Sequence, residues 1–231
     1  MRILIKISGE ALSNHTGNNY DFEYLQKISK EIQELQKTHQ IAIVCGGGNI
    51  CRGAEFAKNG ISPTVGHEVG MMATTMNALI LADVIEKLGG KTVVYTARDL
   101  SGIGEIFDAK RVKNSLDTGS IVFLSGGTGH PYFSTDTASV LRSLELSCEM
   151  MIKCTSVDGI YSADPKKDPT ATKFPVVTYS DVLTKNLRIM DQASIALARD
   201  HELKIGVCHI DTLSSLSNLT KGTFEGSIIQ K

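Results

Sequence analysis

The chain has 231 residues, 42% of them hydrophobic and 21% charged, with 24 basic side chains against 25 acidic ones and a formal net charge of -1. This length suits one α/β domain or two small ones with a sizeable core, and the balanced charge, free of any basic tract, excludes an electrostatic footprint for DNA or RNA. The longest uninterrupted apolar stretches, such as Ala78 to Ala82, are far too short to cross a bilayer, and Lys6 breaks the N-terminal run before a signal-peptide core develops; a cytoplasmic protein without membrane or nucleic-acid partners is expected.

In chain order, a first strand is expected at Arg2-Ile3-Leu4-Ile5, leading into Lys6-Ile7-Ser8-Gly9-Glu10. After Asp21, a good N-cap, Leu25, Ile28, Ile32 and Leu35 recur at helical spacing, which predicts a crossover helix over 22–37. A buried strand at 41–45 runs directly into Gly46-Gly47-Gly48-Asn49. A long helix follows at 67–88, then strands at 91–96 and 120–125, the second ending in Gly126-Gly127-Thr128-Gly129. A helix over 136–147 starts at Asp136, a strand occupies 149–154, and Val157 to Thr178, rich in Asp, Gly, Pro and Lys, is the one extended loop-like region. A helix at 191–201 and a strand at 204–210 complete the series. Short apolar runs alternating with helical patterns predict a mainly parallel sheet with helices on both faces. No repeat, low-complexity segment or linker divides the chain, so one continuous domain over 1–231 is expected.

Five cysteines, Cys45, Cys51, Cys148, Cys154 and Cys208, are odd in number and lack CxxC spacing. Buried, reduced thiols are expected, with no structural zinc. Asn14-His15-Thr16 and Asn218-Leu219-Thr220 match the glycosylation sequon, a chance match in a cytoplasmic protein.

The chemistry is carried by the strand ends. Glycine lets backbone approach a phosphate closely, and successive amides can form an anion-binding concavity at the carboxyl edge of an open sheet. A glycine-rich turn also simply reverses a chain. Three strand ends that together present glycine, hydroxyl and cationic groups favour phosphate binding. There is no G-x-x-x-x-G-K-[ST] P-loop, and no G-x-G-x-x-G after the first strand, so neither a Walker nucleotidase nor a Rossmann dehydrogenase is supported.

An ordered set of four segments extends over essentially the whole chain: Lys6-Ile7-Ser8-Gly9-Glu10-Ala11-Leu12, Gly46-Gly47-Gly48-Asn49-Ile50-Cys51-Arg52-Gly53, Gly127-Thr128-Gly129-His130-Pro131-Tyr132-Phe133-Ser134-Thr135-Asp136, and Val157-Asp158-Gly159-Ile160-Tyr161-Ser162-Ala163-Asp164-Pro165. Together they resemble the bacterial uridylate (UMP) kinases of the amino acid kinase superfamily. The resemblance implies a three-layer αβα sandwich whose N-terminal part mainly binds acceptor and whose C-terminal part mainly binds ATP. It implies phosphorylation of UMP by ATP with Mg²⁺, in pyrimidine nucleotide synthesis, by a homohexamer inhibited by UTP. A phosphate acceptor needs no protein base to generate its nucleophile, only positioning and charge neutralisation between two repelling anions.

Residue by residue, Lys6, Arg52, Asp136 and Asp191 are the implied catalytic set. ATP would be held by Lys6, Ile7, Ser8, Gly9, Gly48, Arg52, Thr155, Tyr161 and Asp164. UMP would be held by Gly47, His67, Thr128, Gly129, His130, Pro131, Tyr132, Phe133, Ser134 and Thr135. No metal ligand is implied among the side chains. Plainer alternatives stand beside these roles: Lys6 snorkelling from an apolar strand, Arg52 solvated on the surface, Tyr161 and Asp164 in an ordinary loop. Asp136 reads as an N-cap and organiser of nearby cations rather than a base, and Asp191 as a second acidic helper, with helix capping alone the alternative for both. Lys153 adds positive charge at its strand end.

The chain departs from the family pattern at His67, where an aspartate facing the UMP ribose is usual, and at Glu68, where histidine is common. His130, Tyr132 and Ser134 stand for the usual Asn, Phe and Thr. Ser13 to Asn19 is unlike the glycine-rich stretch implicated in GTP activation. Two competing functions fit parts of the pattern: a superfamily kinase acting on carbamate or an acylated amino acid, and a storage or regulatory protein that binds ATP without turnover.

Overall fold

A computed structural model describes residues 1–13, 18–185, 187, 189–221 and 223–231. Nine strands form one sheet: β1 (Arg2–Ile7), β2 (Gln40–Cys45), β3 (Thr92–Thr96), β4 (Glu105–Ile106), β5 (Ile121–Ser125), β6 (Met150–Thr155), β9 (Val176–Thr178), β10 (Lys204–His209) and β11 (Ser227–Gln230). Their order is β4-β3-β5-β2-β1-β6-β10-β11-β9, and every neighbouring pair is parallel except β10 with β11. Parallel strands covered on both faces need apolar side chains on both, which is why β1, β2 and β5 read as nearly unbroken aliphatic runs.

The helices are α1 (Phe22–Gln36), α2 (Gly53–Lys58), α3 (Pro63–Lys87), α4 (Ala109–Asp117), α5 (Thr135–Glu145), α6 (Tyr179–Thr184) and α7 (Gln192–Asp200). On one face, Ile3, Ile5 and Ile7 of β1 pack with Leu25, Ile28 and Ile32 of α1 and Leu81 and Ile85 of α3. On the other, Leu4 packs with Val112 and Leu116 of α4, Val140 of α5 and Ile195 of α7. The three-layer sandwich expected from the alternating pattern is therefore present.

Several boundaries differ from the sequence reading, each for a local reason. Helix α3 begins at Pro63, not 67, because Ser62 accepts from Val65 N and the proline suits the first turn. With 25 residues it is long and apolar enough to cross a membrane, contrary to the estimate from uninterrupted runs. Its buried residues, Ala73, Ala78, Leu81, Ala82 and Ile85, nevertheless belong to the sheet's core. The stretch 157–178 is not a loop throughout: β7 (Ile160–Tyr161) pairs antiparallel with β8 (Lys173–Phe174), and β9 closes one sheet edge. Strands of two or three residues carry no periodicity to read.

The thiols are as expected. Cys45, Cys148, Cys154 and Cys208 are buried and free, and Cys51 is half-buried. Burial pushes the Cys45 and Cys148 thiols up to about 12. Asn14 to Gly17, which include the first sequon and most of the stretch compared with the GTP-responsive segment, lie outside the described residues.

Candidate active site

Lys6 of β1 and Lys153 of β6 are direct register partners on adjacent parallel strands. They share the face of Leu4 and Met151, since side chains alternate along each strand. Two like charges side by side in a sheet repel. Here one carboxylate separates them: Asp136 Oδ1 lies 3.0 Å from Lys6 Nζ, and Asp136 Oδ2 accepts from Lys153 Nζ at 2.7 Å. Lys153 also donates to the Ile189 carbonyl at 2.6 Å. The three side chains are only 10%, 14% and 13% exposed for Lys6, Lys153 and Asp136, so this is a buried triad with one unit of positive charge in excess.

Burial by itself would raise the Asp136 pKa, but the ammonium groups of Lys6 and Lys153 outweigh it and hold the carboxyl below its ordinary range. For Lys153, burial pulls the pKa down, with Asp136 opposing. Asp136 was expected to cap its helix. Ser134 caps it instead, accepting from Asp136 N at 3.0 Å and Thr137 N at 3.1 Å. Asp136 thus sits inside the first turn with its carboxylate free for the lysines. Asp191 does cap α7, accepting from Ser194 N at 3.0 Å. It also accepts from Ser134 and from Thr137 Oγ1, and so binds the starts of α5 and α7 together.

The turns after β1 and β2 are pressed against each other beside the triad. A Cβ on Gly9 would lie 2.6 Å from Gly48 N and 2.8 Å from Gly46 O, and one on Gly47 would lie 2.9 Å from Ala73 Cβ. Only glycine fits at these two points. Ile7 is fully buried, and its carbonyl accepts from Gly46 N at 2.8 Å, so only its backbone can face a ligand. Ser8 ends the strand at the same turn. Asn77, buried in the middle of α3, locks the arrangement: its Nδ2 donates to Gly46 O at 2.6 Å and to Asn49 Oδ1 at 2.7 Å, and its Oδ1 accepts from Tyr20 OH at 2.9 Å. Thr74, one helical turn earlier, accepts from Gly126 N at 2.9 Å. Sequence reasoning missed both residues. A lone Asn in an apolar helix was the available signal, because a buried amide requires partners.

Gly47, Gly48, Arg52, His67, Phe133 and Thr135 converge on one cavity of 230 Å³. Arg52 forms an ion pair with Glu10, both half-exposed. Thr128, Gly129, His130, Pro131, Tyr132 and Ser134 do not line that cavity. Thr128 Oγ1 instead accepts from His130 N at 3.1 Å, shaping the loop, and Ser134 is occupied by its cap. His67 packs against Tyr132 with the rings tilted by 52° and their centroids 4.9 Å apart, and Glu68 is paired with Arg98.

Lys153, together with Thr155, Tyr161, Asp164 and Lys166, lines a second cavity of 670 Å³. Tyr161 donates to Asp158 at 2.7 Å, Lys173 reaches the same carboxylate at 2.8 Å, and Asp164 accepts from Lys166 N at 3.0 Å. Lys153 lines this space, Asp136 lines a separate one of 380 Å³ with Leu187, Met190 and Asp191, and Thr135, next to Asp136 in the chain, lines the first. A further cavity of 730 Å³ lies around Met1, Arg2 and Gln40 at the amino ends of β1 and β2, away from this chemistry.

The family model described as the amino acid kinase family matches residues 1–209. Uridylate kinases of Saccharophagus degradans and Escherichia coli strain K12 are 40% and 41% identical to the chain, covering 99% of it and 93% and 95% of their own lengths. The chain belongs to the uridylate kinases of the amino acid kinase family. Among solved structures, the UMP kinase from Bacillus anthracis matches with a TM-score of 0.94 at 33% identity, covering 99% of this chain and 95% of its own. The UMP kinase from Ureaplasma parvum matches at 0.93 and 29%, covering 100% and 98%. In this chain the triad sits on the central strands β1 and β6 of that sheet.

Two substitutions in the triad should differ sharply in their effect on stability. Asp136→Asn leaves two buried ammonium groups without a counter-charge and should cost about 3–5 kcal/mol in urea unfolding. Lys6→Met leaves a balanced Asp136–Lys153 pair and should stay within about 1 kcal/mol of the parent. The acid limb gives a further check. A carboxyl with a depressed folded pKa stabilises fully above its unfolded value of about 3.9 and loses that stabilisation as pH falls through the folded value. Below about pH 5 the parent's stability should fall more steeply with acid than that of Asp136→Asn, as followed by urea midpoints.

Proposed function

We propose that the chain is a nucleoside monophosphate kinase that transfers the γ-phosphoryl group of ATP to UMP, giving UDP and ADP in pyrimidine nucleotide synthesis. The observation that carries this reading is the buried triad with its one excess positive charge, near a cavity lined by Lys153 and another lined by Thr135, the residue before Asp136. An uncompensated buried cation is costly unless an anion completes it. A phosphoryl group passing between two nucleotides is such an anion, and its charge is greatest where the two phosphates meet.

In this reading Lys6 neutralises the transferred group. Its contact with Asp136 Oδ1 at 3.0 Å engages one of the three ammonium protons and leaves the others for phosphoryl oxygens. The amides of Gly9 and Gly48 face the donor phosphates and that of Gly47 the acceptor. Arg52 leaves Glu10 to fork onto phosphate oxygens, an exchange that a half-exposed pair permits at little cost. Asp136 orients both lysines and Asp191 braces the helix that carries Asp136; neither serves as a base. Thr155, Tyr161 and Asp164 hold adenosine, with Ile7 and Ser8 contributing backbone. His67, Phe133 and Thr135, with the loop from Thr128 through Ser134, hold UMP.

A divalent cation, taken as Mg²⁺, belongs with the ATP phosphates. No group of three His, Cys, Asp or Glu side chains suited to holding a metal occurs among the described residues, and Asp136 is already committed to two lysines. The cation would supply further charge neutralisation to the phosphates it accompanies.

The remaining parts of the proposal follow from the family: a single domain with an acceptor-binding N-terminal part and an ATP-binding C-terminal part, a homohexamer, inhibition by UTP, and a cytoplasmic location. Self-association has one physical support. Val65, Val69, Met72 and Met76 form an exposed apolar stripe on α3 that a second copy of the chain would bury.

The function is tested by offering MgATP with UMP, CMP, dUMP, carbamate and acetylglutamate in parallel and identifying the phosphorylated product directly. UDP from UMP is expected. Turnover on carbamate or acetylglutamate instead would move the chain elsewhere in its superfamily, and binding without turnover would make it a nucleotide-storing protein. Lys6→Met should lower kcat by about 10²–10³ through lost electrostatic stabilisation, with its melting temperature held; undiminished kcat would remove Lys6 from the mechanism.

A further inference from the structure

The loop after β5 is tied down at a point that phosphate chemistry does not use. Arg98, two residues beyond β3, donates from Nε to the Gly129 carbonyl at 2.6 Å, and its Nη1 lies 3.3 Å from Glu68 Oε1 near the start of α3. Gly129 has a φ of +83°, and a Cβ there would come within 3.3 Å of the Ala97 carbonyl oxygen, so the loop backbone rests on the Ala97–Arg98 segment. Three residues later Tyr132, at a φ of 71°, packs its ring at a tilt against His67 and shares a 2.9 Å hydrogen bond with Thr64 Oγ1. Thr64, His67 and Glu68 therefore anchor two points of the loop to one end of α3, and His67 also lines the acceptor-side cavity.

Glycine in the left-handed region has no side chain to bias the orientation of its peptide. A charge-assisted hydrogen bond from a guanidinium is directional and strong enough to select one orientation of that carbonyl. Arg98 is itself steadied at its other nitrogen by Glu68. Both side chains are about half exposed, at 50% and 45%, so the ion pair contributes little to folding. Its effect falls on the aim of the loop instead.

We propose that Arg98 is a positioning residue for the acceptor: paired with Glu68, it fixes the Gly129 carbonyl and with it the orientation of residues 128–135 toward the acceptor nucleotide. The inference rests on UMP being that acceptor. Arg98 touches no reacting atom; it acts through Gly129. Because a loop that must be ordered on binding weakens affinity, loss of the tether should appear in the acceptor's KM and leave the donor's alone.

The test is steady-state UDP formation with UMP and ATP varied separately, for the parent, Arg98→Met, Arg98→Lys and Glu68→Gln, together with melting temperatures. Arg98→Met keeps the stem and removes the donors. Its KM for UMP should rise about three- to tenfold, the worth of one hydrogen bond, with KM for ATP and the melting temperature unchanged. Arg98→Lys should recover part of the loss, and Glu68→Gln should show a smaller rise. An unchanged KM for UMP in Arg98→Met overturns the inference. So does a rise in both KM values with a fall in melting temperature, which marks a structural role. Failure of the parent to make UDP would overturn the acceptor assignment itself, independently of the variants.

Discussion

Two ammonium groups and one carboxylate, buried side by side at the carboxyl edge of the sheet, are the constraint on which the rest of this site depends. The parallel pairing of β1 and β6 sets Lys6 beside Lys153. That placement would be unfavourable in an apolar layer without Asp136, and Asp136 can reach both lysines because Ser134, not Asp136, caps α5. Capping by a serine two residues earlier thus frees a carboxylate for electrostatic work. Asp191 ties that serine to the start of α7, so the charge cluster is braced by two helices as well as two strands.

The glycine turns gain their meaning from this charge. Gly9 and Gly48 approach each other as closely as backbone allows, with Asn77 holding the second turn from within α3. Amides brought together in this way complement a phosphate beside a cation. The two cavities differ in size, 670 Å³ where Lys153 lines the wall against 230 Å³ where Gly47 and Thr135 do, which suits the proposed larger donor nucleotide in the first and smaller acceptor in the second. In-line transfer between them requires no protein base, which agrees with an Asp136 held ionised by two lysines.

Much of this was legible in the sequence. The long aliphatic runs and helical periodicities predicted the six main strands, the helices α1, α3, α5 and α7 and the three glycine-bearing strand ends, because parallel strands and crossover helices leave strong patterns, whereas α2, α4, α6 and β11 were not read. The short elements β4, β7, β8 and β9 were not legible, since two or three residues carry no period. Lys6 and Asp136 could be named from their motifs, but their distance to each other and to Lys153 depends on register, which no local pattern encodes. Asn77 was passed over because its neighbours Met76 and Ala78 read as ordinary helix, and Arg98 because nothing near it in sequence resembles a site. His67 remained legible only as a departure from its family; its tilted ring contact with Tyr132 emerges from the fold.

The central claim is that the excess positive charge of the triad receives the transferred phosphoryl group. It is tested most directly by a crystal structure with UMP, ADP and a fluoride mimic of the phosphoryl group bound together. The account predicts the mimic between the two nucleotides, with Lys6 Nζ and the Gly9 or Gly48 amide about 3 Å from its ligand atoms and Asp136 still joined to Lys153. A mimic held elsewhere, with Lys6 turned away from it, would contradict the account.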